Sequence, residues 1–452
     1  MESLQRALDR TDNAVELLRN ASAASVPFNG APEHSNWQAE QRAWRESVAL
    51  LDQSHHMNDL FISGPDALRL FRDFGVNTFE NFDVGKAKHL VTVNEDGDFI
   101  GDNILFHLDV DRFNLVGQPF SVNWIQFNAA TGDYDVEVDR DPPTPFREPG
   151  LPPKLFRYEL QGPNALPLVE RLIDGPAPDV KFFTMAWLTI AGMQVRALRH
   201  GMAAQPGFEL FGPWEHGDAV FEAILQVGDE FDLHRVGTKA YSTANLESGW
   251  IPALVPAVYT GDAMSAYREW LPASAVGSLG GSFYSLDITD YYVSPYDLGY
   301  GKVIAFDHDF YGRDALEARA GEVSREKVTL VWEESDLERT IGASLRAEGT
   351  PAKYLEFPKA RYATHQYDTV LVGDEMVGFS SDCGYIANER CFVSLATVDA
   401  GISEPGTEVV VVWGEEPNST KPAVEPHGQV EVRATVAPAP MPTFARTSYR
   451  AG

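Results

Sequence analysis

The sequence predicts an α+β protein with two split-βαβ (ferredoxin-like) units over residues 1–320 and an all-β region over 321–452. Three observations carry this expectation. A strand, Gly-Pro turn and helix unit occurs twice, at residues 60–75 and 158–175. Hairpin-like segments separate the copies. Beyond about residue 320 only strand-like runs divided by turn residues remain.

Taken in order, Asn13 and Glu16 form a capping-box pattern that opens a helix over 13–20. Ser35-Asn36-Trp37 leads a second helix carrying Trp44, Val48 and Leu51. In the two repeat copies, Pro65 and Pro163 suit the first helical position, where a missing N–H costs nothing. Gly75 and Gly175 are placed to stop those helices. A weaker echo is Gly312-Arg313-Asp314-Ala315-Leu316. Strands are expected at 90–94, 99–108 and 113–127, a surface loop at 137–153, and a helix at 215–232. The strand runs of the last region are 328–332, 369–372, 393–398, 409–413 and 430–436, read as a β-barrel or jelly roll.

Composition excludes several functions. Hydrophobic residues make up 44% of 452 residues, enough for packed cores, and the formal charge is −30. That charge repels phosphate backbones and anionic membranes, so neither nucleic acid nor a membrane is an expected partner. An anionic ligand must therefore be held by local positive groups. The two cysteines, Cys383 and Cys391, form no CxxC pair, and the N-terminus lacks a signal-peptide core; a cytoplasmic location is expected. There is no dinucleotide fingerprint, P-loop, GxSxG elbow or HExxH motif. Neighbouring side chains diverge, so the His55-His56 doublet is a poor metal site.

The most informative stretch is 198–212, read as strand, Pro-Gly turn, strand. Alternation sets Glu209 on the face opposite Phe208 and Leu210. From the residues alone it is either a solvated charge on an open sheet or an acid aimed into a cavity.

Ordered motifs decide between these. Asp52-Gln53-Ser54-His55-His56-Met57, Phe99-Ile100-Gly101-Asp102-Asn103-Ile104-Leu105, Gly207-Phe208-Glu209-Leu210, Leu246-Glu247-Ser248-Gly249 and Phe310-Tyr311-Gly312-Arg313-Asp314-Ala315-Leu316 resemble, in order, the aminomethyltransferase fold of the glycine cleavage T-protein. Further stretches, including Ser35-Asn36-Trp37, Tyr259-Thr260-Gly261-Asp262 and Gly280-Gly281-Ser282-Phe283, resemble the tetrahydrofolate-dependent aromatic O-demethylases of the vanillate/3-O-methylgallate type. The resemblance implies that residues 1–320 form a folate-binding catalytic region of two intertwined subdomains. It implies transfer of a methyl group from a methoxylated aromatic compound to N5 of tetrahydrofolate, with no metal or redox cofactor. By resemblance Glu209 clamps the pterin edge, Gln53, His89, Val116 and Trp250 line the folate site, and Asp102 sits near the reactive nitrogens. Tyr241 protonates the departing oxygen and His56 contacts the aromatic ring substituent.

The sequence departs from that pattern where the donor is held. The Arg expected two residues after Val116 is Gln118, and Pro27 or Phe28 stands where a substrate-holding Tyr is expected. A neutral amide does not replace a charged bidentate fork. The donor is therefore expected to be a neutral methoxyphenol, or an acid bound elsewhere. The alternatives are a folate-linked N- or S-demethylase of the same fold and a non-catalytic folate-binding protein. The absence of Cys from Tyr300-Gly301-Lys302-Val303 disfavours the latter.

Overall fold

The duplication extends well beyond the repeated turn. In the computed structural model, which describes residues 1–21 and 30–449, the first copy runs β2 (Asn58–Ser63), a helix (Ala67–Phe74), a meander of β3 (Ala87–Val93), β4 (Phe99–Asp109) and β5 (Arg112–Gly117), a helix (Pro119–Thr131) and β6 (Glu137–Asp141). The second runs β7 (Leu155–Gln161), a helix (Ala165–Ile173), β8 (Met185–Ile190), β9 (Met193–Leu198), β10 (Gly207–Pro213), a helix (Gly217–Gly228) and β11 (Leu233–Val236). The sheet orders are β3-β4-β5-β2-β6 and β8-β9-β10-β7-β1-β11, so they match once β1 (Val48–Asp52) is recognised as an inserted strand.

Each sheet buries one face under its own two helices. Leu60, Ile62, Leu105, Phe113 and Leu115 meet Leu70, Phe71, Val122 and Ile125 in one unit. In the other, Phe156, Leu160, Phe208 and Leu210 meet Leu168, Val169, Val220 and Ile224. A fully buried side chain of this kind contributes about 1.5–3 kcal/mol. The remaining sheet faces look at each other across a layer containing Phe106, Val116, Leu198 and Phe211. Any polar residue on those inner faces is thereby forced into the interior.

Past residue 320, strands Arg325–Trp332, Cys391–Asp399, Glu375–Ile386, Asp368–Val372, Glu408–Trp413 and Val430–Pro438 close a six-stranded barrel. The region is not purely β: Glu334–Ser344 is a helix against it. Among the described residues no helix is long and apolar enough to cross a membrane.

Several elements differ from expectation for local reasons. Asn13 and Asn36 cap their helices as expected, each accepting a backbone N–H. The second helix, however, ends at Glu46, and Val48 and Leu51 belong to β1. Pro65 and Pro163 precede the helices, which start at Ala67 and Ala165, while Gly64 and Gly162 take the positive φ of the turn. Asp174, not Gly175, adopts the left-handed cap. Residues 113–127 are half strand and half helix, with Asn123 and Trp124 inside the helix. The stretch 137–153 begins with an edge strand, charged as edges often are.

Gly207, which opens β10, sits at φ +153°, and a Cβ there would lie 1.8 Å from the Leu160 carbonyl oxygen. Gly207→Ala must push β10 off β7 and displace Glu209 two residues on. The expected cost is about 2–4 kcal/mol, read as a lower urea midpoint and reduced soluble yield.

Candidate functional site

The buried charges cluster where the inner faces meet. Glu209 on β10 pairs in register with Glu159 on β7, and Phe211 with Arg157. Glu209 is only 3% exposed and Arg157 2%, which rules out a solvated edge charge. Arg157 donates through Nη1 to Glu209 Oε1 and through Nη2 to Asp59 Oδ1, the latter at 2.8 Å. Asp59 lies on β2, so this guanidinium ties the two sheets together. Its plane is sandwiched near Phe106 and Phe211, 5.3 and 5.0 Å from the ring centroids.

Glu159 completes the cluster. Gln53 Nε2 donates to its Oε2 at 2.5 Å and the Met202 N–H to its Oε1 at 2.7 Å. Burial, reinforced by Glu209, pushes the Glu159 carboxyl up to about 8. Burial also raises Glu209, against the pull of Arg157. Two carboxyl groups share one guanidinium here, with Glu159 beside them and unpaired with it, and Asn114, which donates to Asp59 at 2.7 Å, keeps a buried Oδ1 without a partner. The pocket chemistry is thus rich in acceptors and fits a ligand edge that presents N–H donors.

Tyr241 and His56 form the adjoining pair. The hydroxyl lies 3.1 Å from His56 Nε2, with the rings edge to face. Burial, then Arg157, His55 and Arg361, drives the imidazole down to about 3. Burial and the neighbouring Glu159 and Glu209 raise the Tyr241 phenol well above its ordinary value. At neutral pH the pair is a protonated phenol beside a neutral imidazole. His55 turns away, bonded to Thr144 at 2.9 Å and packed on Trp214.

A second cluster stands further along β4, on the same face as Phe106. Asp102 accepts from Trp250 Nε1 at 3.0 Å, from the Tyr300 hydroxyl at 2.5 Å and from His89 Nε2 at 3.0 Å. Burial opposes its charge, but His89, Tyr300 and Trp250 together hold the carboxyl below its usual range. Trp250 is therefore a hydrogen-bonding wall, not a purely apolar one. Val116 is cross-strand neighbour to both Ile104 and Asp59, between the two clusters.

Gln118 precedes the helix at Pro119 and lines a cleft with Ile251, Pro252 and Arg361. Phe28 and Pro27 lie outside the described residues. Glu247 of the Leu-Glu-x-Gly motif proves to be structural: it accepts from Trp44, Arg45 and Asn388. Arg157 and Tyr300 were not among the expected site residues. The density of tyrosine at 284–300 was the one available signal for Tyr300, and Arg157 carries none.

The raised Glu159 carboxyl has a thermodynamic consequence. Between its ordinary value of 4.5 and about 8 the folded chain holds a proton that the unfolded chain releases. The stability it contributes is complete below 4.5 and is lost as pH rises through 8, at no more than ~1.4 kcal/mol per pH unit. Urea unfolding of wild type and Glu159→Gln across pH 5–8 should show the wild type losing stability relative to the variant as pH rises.

Comparison with known proteins accords with this architecture. The family model described as the GCVT N-terminal domain matches residues 19–254. The chain is 44% identical to a syringate O-demethylase from Sphingobium sp. over 99% of its own length and 98% of the relative's. It is 27% identical to a sesamin methylene transferase from Sinomonas sp., over 92% and 90%. The crystal structure of the glycine cleavage system aminomethyltransferase T from Bartonella henselae shares the fold, with a TM-score of 0.61 at 17% identity and 98% of both chains covered. With a paired-sheet body, a closing barrel and likeness over its full length, the chain belongs to the GCVT aminomethyltransferase family.

Proposed function

We propose that this protein is a tetrahydrofolate-dependent O-demethylase that moves the methyl group of a methoxylated aromatic compound to N5 of tetrahydrofolate. The observation that carries this reading is the Tyr241 hydroxyl held 3.1 Å from His56 Nε2, beside the cluster of Glu209, Glu159 and Gln53. The full-length likeness to a syringate O-demethylase supports the donor class.

Bound tetrahydrofolate would supply N5 as the methyl acceptor. Glu209 and its neighbours would hold the donor-bearing pterin edge, as charge-assisted acceptors of N–H bonds. Asp102 keeps a negative charge near the place assigned to the reactive nitrogens and fixes the planes of His89 and Trp250. Val116 contributes apolar wall between them.

The difficult step is expelling a phenolate. The O–CH3 bond breaks with its electron pair left on the aryl oxygen, and the acceptor's N–H proton is released in exchange for the methyl group. A hydroxyl held in a dry site can donate to that oxygen as charge develops. Tyr241 is suited to this because burial keeps its proton in place. His56, being neutral, can accept the Tyr241 hydrogen bond and so orient the hydroxyl, and the proton released from the acceptor nitrogen balances the one taken up by the aryl oxygen. Alignment of the two reacting atoms supplies the remainder.

Two measurements test the reading. Tyr241→Phe should lower kcat by about 10²–10⁴-fold with folate affinity little changed, measured as 5-methyltetrahydrofolate formation by mass spectrometry. Glu209→Ala should instead weaken folate binding by at least about tenfold, measured by calorimetry. Release of an amine or a thiol in place of a phenol would overturn the O-demethylase assignment.

A further inference from the structure

The loss of the expected arginine at Gln118 leaves open what would hold an acidic donor. The C-terminal region supplies a candidate. Arg361 lines the same cleft as Gln118, with Ile251, Pro252, Gln366 and Ser381. Among the described residues it makes no hydrogen bond or ion pair, whereas the buried Arg157 and Arg19 are fully engaged. Gln366 Oε1 and Ser381 Oγ on the same wall are buried without partners, and both residues are more than nine-tenths buried. The cleft is therefore unsatisfied on its barrel side and carries one uncommitted cation.

Its position relative to the reacting groups is fixed by Lys359. That buried ammonium bonds the Ser242 carbonyl at 2.8 Å, Asn245 Oδ1 at 2.6 Å and Asp382 Oδ2 at 2.6 Å. It thus straps residues 359–361 directly onto the loop that follows Tyr241. On the other side, Ile251 and Pro252 continue from Trp250, which is bonded to Asp102. The cleft is thus tied through Lys359 to the segment that follows Tyr241 and through Ile251 to Trp250, residues that the O-demethylase reading places around the donor. Asp382 also lines it, but its charge is committed to Lys359.

Building on the O-demethylase reading, we propose that Arg361, presented by the C-terminal region in the cleft it shares with Gln118, is the carboxylate anchor of the donor site, and that the donor is an aromatic acid. The positive group lost from the first unit is replaced from the C-terminal region, and Gln118 adds a neutral donor to the same carboxylate or ring substituent. Lys359 is a positioning residue for this anchor.

The test compares wild type, Arg361→Gln and Arg361→Lys with two donors: syringate and the dimethoxyphenol that lacks its carboxylate. Removing a charged partner of a carboxylate should lower the ratio of kcat/KM, acid over neutral, by about 10–100-fold. The loss should fall on KM, and Arg361→Lys should recover part of it. Circular dichroism and melting temperature check that the variants fold. Equal losses for both donors, or none, would overturn the anchor while leaving demethylation intact. Syringate binding to wild type and Arg361→Gln, followed by tryptophan fluorescence, reads the anchor without turnover. A wild type that binds syringate through Arg361 but forms no 5-methyltetrahydrofolate would overturn the demethylase reading alone. Binding unaffected by the substitution would overturn the anchor.

Discussion

The bond on which this architecture turns is the one from Arg157 to Asp59 and Glu209. Arg157 and Asp59 each stand five residues before the turn glycine of their own copy, Gly162 and Gly64. They are equivalent positions of a duplicated unit, and they meet across the space between the two sheets. One copy presents a cation and the other an anion. Had both kept the same charge, the inner faces would repel at their closest approach. Burying ions is costly, so such a contact holds only when every partner is present. Here Asp59, Glu209 and two phenylalanine rings surround the guanidinium.

The rest of the site follows from that contact. Glu159 stands beside Glu209 with no cation of its own, and burial with that neighbouring charge pushes its carboxyl up to about 8. The same dry surroundings keep His56 uncharged and Tyr241 protonated. The proposed proton donor for a leaving oxygen and the proposed acceptor-rich face for a pterin edge are thus parts of one buried polar layer. Loss of Arg157 would strand two carboxylates, and the cost would be paid in sheet packing before any chemistry was lost.

Much of this was legible in the residues, and the exceptions have physical reasons. The Phe208-Glu209-Leu210 alternation announces which way the acid points, because strand geometry has a period of two. The caps at Asn13 and Asn36 are local and were found locally. The helix Pro119–Thr131 was obscured because Phe120, Val122, Trp124, Ile125 and Phe127 are buried all round it, leaving no polar face to mark a period. The strand Glu137–Asp141 was obscured because an edge strand is charged like a loop. Tyr300 reaches Asp102 across 198 residues and Arg157 reaches Asp59 across 98. No window along the chain contains either pair. The ordered motifs identified Glu209, Gln53 and Asp102, but a motif gives no sign of a partner that lies outside it.

If Arg361 takes the place of the arginine missing at Gln118, donor choice can change while the methyl acceptor stays fixed. Groups that face the proposed folate belong to the sheets: Glu209, Glu159 and Asp102 sit on strands held by ladders of backbone hydrogen bonds. Groups on the C-terminal side of the cleft come from segments strapped onto the body by side-chain contacts such as Lys359 with the Ser242 carbonyl and Asn245. Moving a charge within the sheets would disturb the Arg157 network and both subdomains with it. Moving one in the cleft alters only the wall that the barrel presents. A strongly acidic chain has little background field with which to attract an anion, so in the proposed arrangement retention of an aromatic acid rests on the one cation of that wall, Arg361. On the proposed reading the duplicated body holds the acceptor, and the donor cleft is shared between that body, through Gln118, Ile251 and Pro252, and the C-terminal region, through Arg361.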